Sequence, residues 1–125
     1  MISKKSSKNL LDSVETIVGA SSFFEGNIKT DKTVRIDGKI IGNIDASGVL
    51  IGADARIDGN IKAEIVMVGG TVDGNINASD SVEILSKAKV VGNIKTNIFT
   101  IAEGAYFEGK SSMIANEENS EDESK

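Results

Sequence analysis

Apolar residues recur along this chain in short alternating runs. A β-branched pair two residues apart appears at Val34 and Ile36, Val49 and Ile51, Val66 and Val68, and Val82 and Ile84; in the last copy the pair is Phe99 and Ile101. Alternation with a period of two marks strands that turn one face inward. Gly, Asp, Asn or Ser separates the runs, and each unit holds about three of them.

The units are copies of one another. Gly-Asn-Ile begins at Gly26, Gly42, Gly59, Gly74 and Gly92, each time followed by any residue and then Thr or Ala, and a worn sixth copy begins at Gly109. Successive glycines are 16, 17, 15, 18 and 17 residues apart. Two positions before each glycine stand Phe24, Ile40, Ile57, Val72, Val90 and Phe107. Four before it stand the small residues Ser22, Gly38, Ala55, Gly70, Ala88 and Ala105. Short strands in turns of near-constant length predict a parallel β-helix. Its coils lie about 4.8 Å apart, so equivalent residues form columns. A single coil cannot bury its apolar face, but stacked neighbours bury it together.

The repeat can be traced back to Val18–Gly26, which aligns with Ile51–Gly59 and Ile101–Gly109. The expected organisation is a β-helix over residues 14–112 with three short strands per coil and about five to six coils. Residues 1–13 and 113–125 are expected to be disordered tails, because they are polar and charge-biased. The spacing of Leu10, Leu11, Val14 and Ile17 also allows a short helix, although so short a piece is marginal alone.

Composition narrows the function. The 125-residue chain contains no proline, cysteine, tryptophan or histidine, so the core is built from Ile, Val, Leu and Ala. Thirteen glycines suit a chain that turns sharply many times. Without cysteine there is no disulfide framework or thiolate metal site. No apolar run reaches the roughly 20 residues that cross a bilayer, and Met1-Ile2-Ser3-Lys4-Lys5 lacks the apolar stretch of a secretory signal. A cytoplasmic location is expected. The net charge of −5 is uneven: Lys4, Lys5 and Lys8 crowd the beginning, and Glu117, Glu118, Glu121, Asp122 and Glu123 the end. The middle has no cluster of Lys and Arg of the kind that holds phosphates, which argues against nucleic acid as a partner.

Candidate chemistry is sparse, and no catalytic, cofactor or metal residues are assigned. A β-helical acyltransferase of the hexapeptide-repeat kind needs a stricter six-residue rhythm and usually a histidine base, which this chain lacks. An ion-binding module is the other alternative, because Glu25, Asp58, Asp73 and Glu108 recur before the repeat glycine. Ile41 and Val91 interrupt that column, so solvated turn residues explain it better. The column Asn27, Asn43, Asn60, Asn75 and Asn93 fits either an amide ladder or a polar outer corner.

The aromatics are more telling. Phe23, Phe24, Phe99, Tyr106 and Phe107 are the only ones, and none lies between residues 25 and 98. They fall in the first and last coils, where a stack has open edges and exposed core. They serve either as wide plugs that seal a monomer or as contact surfaces for further copies; the concentration of large rings at both ends favours contact.

With its Gly-Asn-Ile copies, its Ile-Asp-Gly corners at Ile36–Gly38 and Ile57–Gly59 and its polar tails, the sequence resembles the bactofilins over residues 14–112. The resemblance implies a right-handed β-helix of triangular cross-section. It also implies a cytoskeletal scaffold, not an enzyme, that polymerises with itself end to end, without nucleotide, into non-polar filaments. Phe107 matches the phenylalanine near the C-terminal end on which polymerisation depends in that family. Met1, Ile2, Lys4, Lys5 and Lys8 are similar to the family's membrane-targeting peptide, which implies an anionic membrane surface as partner and a peripheral position at the inner face of the cell membrane. Cell-wall enzymes and shape factors are the family's further partners.

Overall fold

The computed structural model describes residues 14–114. Every strand pairing is parallel, and no helix occurs among these residues. The first coil comprises β1 (Val14–Val18), β2 (Phe23–Glu25) and β3 (Ile28–Lys29), and the second β4 (Thr33–Ile36), β5 (Lys39–Ile41) and β6 (Ile44–Asp45). The third opens with β7 (Gly48–Ile51) and β8 (Arg56–Asp58); β9 (Ile61–Val68) then runs through a corner into the fourth. There β10 (Thr71–Asp73) is followed by β11 (Ile76–Ile84), which enters the fifth coil, with β12 (Lys89–Val91) and β13 (Ile94–Ile101). β13 leads into a sixth coil completed by β14 (Tyr106–Glu108) and β15 (Ser111–Met113).

The strands form two sheets. One stacks the three-residue strands in the order β2, β5, β8, β10, β12, β14; the other collects the remaining strands and covers the other two segments of each coil. Three separate strands per coil hold for the first two coils. From β9 onward the third segment of one coil is continuous with the first segment of the next. A register shift between Ala78 and Ser81 marks the bend in β11, as an extra residue bends one strand against its neighbour.

Val14–Val18 is strand, not helix, which corrects the helical alternative for Val14 and Ile17; Leu10 and Leu11 lie outside the described residues. Thr16 and Val18 pair with Val34 and Ile36, and parallel pairing on a neighbouring coil outweighs the weak preference of a short segment.

The predicted columns are the core. Val34, Val49, Val66 and Val82 are fully buried, as are Ile40, Ile57, Val72 and Val90 opposite them. Ile44, Ile61, Ile76 and Ile94 form a third inner column, beside Ala46, Ala63 and Ala78. At the repeat glycine the chain turns with positive φ, +151° at Gly59, a region that L side chains rarely adopt. A Cβ on Gly59 would also overlap the carbonyl of Gly42 in the coil before.

The asparagine column is a ladder, which settles the choice between ladder and polar corner. Each side-chain oxygen accepts the backbone N–H of the next member: Asn27 from Asn43 at 3.0 Å, Asn43 from Asn60 at 2.9 Å, Asn60 from Asn75 at 3.0 Å and Asn75 from Asn93 at 2.9 Å. Lys110 donates its N–H to Asn93 at 3.1 Å but has no side-chain oxygen to continue.

Candidate polymerisation surfaces

The six coils bury one another, so what remains open is decided at the ends. Among the described residues β14 pairs only with β12, and β2 only with β5. A terminal coil therefore leaves one row of backbone groups and one layer of inward side chains without a neighbour.

At the C-terminal end the inner columns finish in large apolar residues. Phe99 continues the column of Val82, Ile101 that of Ile84, and Phe107 that of Val90. Met113 continues the column of Ala78 and Thr96. Phe99 and Phe107 meet edge to face, with centroids 5.4 Å apart and planes at 71°. Both are half-buried, whereas Ile101 is 45% and Met113 46% exposed. At the N-terminal end the columns of Val82, Ile84 and Val90 finish in Thr16, Val18 and Phe24, while Ile28 ends the column of Ile94, which finishes in Ser111 at the other end; Phe24 is 36% exposed. The end with Phe99 and Phe107 is thus the more apolar.

Phe23 and Tyr106 occupy a different position. They cap the outer column Phe23, Lys39, Arg56, Thr71, Lys89, Tyr106. The Lys39 ammonium stands 5.7 Å from the Phe23 ring centre, and that of Lys89 5.6 Å from the Tyr106 ring centre. Tyr106 also donates its hydroxyl to Glu108 at 2.8 Å. That bond, with the charge of Glu108, raises the phenol above its ordinary value. The five aromatics therefore split into an inner set, Phe24, Phe99 and Phe107, and an outer pair at the rims.

The sequence pattern marks Ile101 as an inward strand residue but not as part of an end surface, and it leaves Met113 unmarked, although the alignment contains the signal for both. Met113 stands four residues after Gly109, where the full copies carry Ala or Thr. Met1, Ile2, Lys4, Lys5 and Lys8 lie outside the described residues. The carboxylates Glu25, Asp58, Asp73 and Glu108 share an outer column with Ile41 and Val91 between them. Among the described residues no group of three or more His, Cys, Asp or Glu is placed to hold a metal ion, and no helix is long and apolar enough to cross a membrane.

A stack of this kind has known relatives. Residues 16–112 match the bactofilin family, described as polymer-forming cytoskeletal. The chain is 35% identical over 99 residues to bactofilin BacO of Myxococcus xanthus, covering 78% of this chain and 79% of BacO. It is 32% identical over 99 residues to bactofilin BacP of the same organism, where the match spans 41% of the relative. The cryo-EM reconstruction of Thermus thermophilus bactofilin double helical filaments superposes with a TM-score of 0.75 at 25% identity, covering 79% of this chain and 99% of that one. The solid-state NMR structure of the cytoskeletal bactofilin BacA superposes with a TM-score of 0.71 at 26% identity, covering 79% and 95%. The family match covers most of the chain and agrees with the repeat, the columns and the fold: the protein belongs to the bactofilins.

Proposed function

We propose that this bactofilin is a scaffold whose filaments form by end-to-end stacking, with the coil of Phe99, Ile101, Phe107 and Met113 as the principal joint and Phe24 at the opposite one. The observation that carries this reading is the finish of the inner columns in large, partly exposed apolar side chains. A second copy stacked on that end continues the core. Each Phe buried there contributes roughly 1.5–3 kcal/mol. Phe23 and Tyr106 flank the joints from the outer face. The relative from Thermus thermophilus forms double helical filaments, which supports polymer formation.

The same reading takes the filament to the cytoplasmic face of the cell membrane, where it localises cell-wall or cell-shape machinery. Met1, Ile2, Lys4, Lys5 and Lys8 are the residues for lipid contact. A lysine near an anionic surface contributes about 1 kcal/mol, so a single segment binds weakly. Many copies on one filament bind far better through avidity. The acidic residues after Ser112 are repelled by that surface.

Electron microscopy of the purified protein without nucleotide or metal tests the assembly, with filaments expected. A uniform compact trimer would instead favour the β-helical enzyme class. Deleting residues 2–8 should abolish co-sedimentation with anionic liposomes while sparing filaments; unchanged co-sedimentation would remove the tail as anchor.

A further inference from the structure

We propose that Met113 is a site of reversible oxidation, and that its sulfoxide closes the C-terminal end of the rod to a second copy. This rests on the end joint proposed above. Met113 is the last member of the inner column Ala63, Ala78, Thr96, Met113, fixed by the strand pairings. The members with a coil on each side are buried: Ala63 is 7%, Ala78 0% and Thr96 1% exposed. Met113 keeps their inward register but has none of the described coils beyond it, and it is 46% exposed. Phe99 and Phe107, at the same end, pack against the core. Met113 thus places a reactive thioether within reach of solvent in the layer on which stacking depends.

Sulfur is scarce in this chain. It has three methionines and no cysteine, so no thiol competes for an oxidant. Met1 lies outside the described residues. Met67 is half-buried on the outer side of β9, between Leu50 and Glu83 of the adjacent coils and away from either end. A peroxide supplies the oxygen. The sulfur lone pair attacks one peroxide oxygen, the O–O bond breaks, and the other oxygen leaves as water. The sulfur loses two electrons and no other bond of the side chain changes. A methionine sulfoxide reductase reverses the step. On a free rod the new S=O dipole faces water. In a stacked pair it is carried into an apolar layer, where a polar group stripped of water and left unpaired is costly. Because the joint itself covers Met113, oxidation acts on open ends: it stops growth and leaves assembled filaments whole.

The full-length protein tests this. It is treated with hydrogen peroxide while diluted below its assembly concentration, freed of peroxide, concentrated and sedimented, and sulfoxide at each methionine is measured by mass spectrometry. The oxidised chain is expected to need at least a tenfold higher concentration to form filaments, and sulfoxide reductase should restore the original threshold. Met113→Leu, a volume-conserving change, should keep its threshold through the same treatment, whereas Met67→Leu should lose assembly as the parent does. Loss of assembly by treated Met113→Leu would put the effect on another residue, and a parent with fully oxidised Met113 that assembles at its usual concentration would show that the joint tolerates the sulfoxide; either overturns the proposal. As a second measurement, Met113 should oxidise at least tenfold more slowly in filaments than in dilute chains. Equal rates would place Met113 outside the joint and overturn the end-joint reading itself. Protection in filaments together with normal assembly of oxidised chains would overturn the oxidation proposal alone.

Discussion

The side-chain oxygen of Asn75 accepts the backbone N–H of Asn93, 18 residues later, at 2.9 Å. The two residues are equivalent positions in adjacent coils. The bond satisfies a corner N–H that the sheets do not reach, and its repetition ties the coils along one edge of the rod.

Removing one rung should therefore cost about one hydrogen bond. Asn75→Ala is expected to destabilise the fold by roughly 0.5–1.5 kcal/mol in denaturant titration. Lys110→Ala is the control, because its side chain accepts nothing in the ladder, and it should leave the midpoint in place.

The repeat glycine is a stricter requirement. Gly59→Ala places a Cβ on the Gly42 carbonyl at a φ of +151°. The backbone strain alone is about 1–3 kcal/mol, and the overlap forces adjacent coils apart, so a loss of more than about 3 kcal/mol or failure to fold is expected. At Gly26 none of the described coils lies beneath, and among the described residues a Cβ would meet the Phe24 ring at 3.6 Å. Gly26→Ala should keep a folded protein, with a smaller loss seen by circular dichroism during heating.

One buried group is poorly served. Thr96 is 1% exposed, and its hydroxyl has no hydrogen-bond partner among the described residues. Thr96→Val keeps the shape and removes the unpaired oxygen, so it should raise stability by about 1 kcal/mol in denaturant titration.

Tyr106 is the only tyrosine, and tryptophan is absent, so its phenol can be followed by ultraviolet absorbance. Its midpoint should lie above the ordinary value of about 10, because Glu108 accepts a hydrogen bond from the neutral phenol and repels the phenolate. The raised folded value means that this contribution to stability is complete below the unfolded pKa and is lost as pH rises through the folded one. Glu108→Gln should bring the midpoint down.

Much of this was legible in the sequence, because a stack repeats its own environment. Aligning the Gly-Asn-Ile copies placed Ile40, Ile57, Val72 and Val90 in one inner column and Phe24 and Phe107 at its ends, which is where they stand. Other features needed the third dimension. Val14 and Ile17 fit a helical spacing as well as a strand, and only pairing with β4 decides between them. The asparagine column has the same spacing whether its oxygens face water or the next coil. Tyr106 and Phe107 are adjacent in the chain, yet alternation sends one to the outer rim and the other to the core.

The central claim is that the rod lengthens through the open end of its sixth coil. Phe107→Arg places a charge in that layer beside Phe99 while leaving the first five coils untouched. Sedimentation velocity and electron microscopy of this variant, beside the unaltered protein, test it most directly. The prediction is a short, soluble, β-rich species where the parent forms filaments; long filaments from the variant would contradict the claim and place the joint elsewhere.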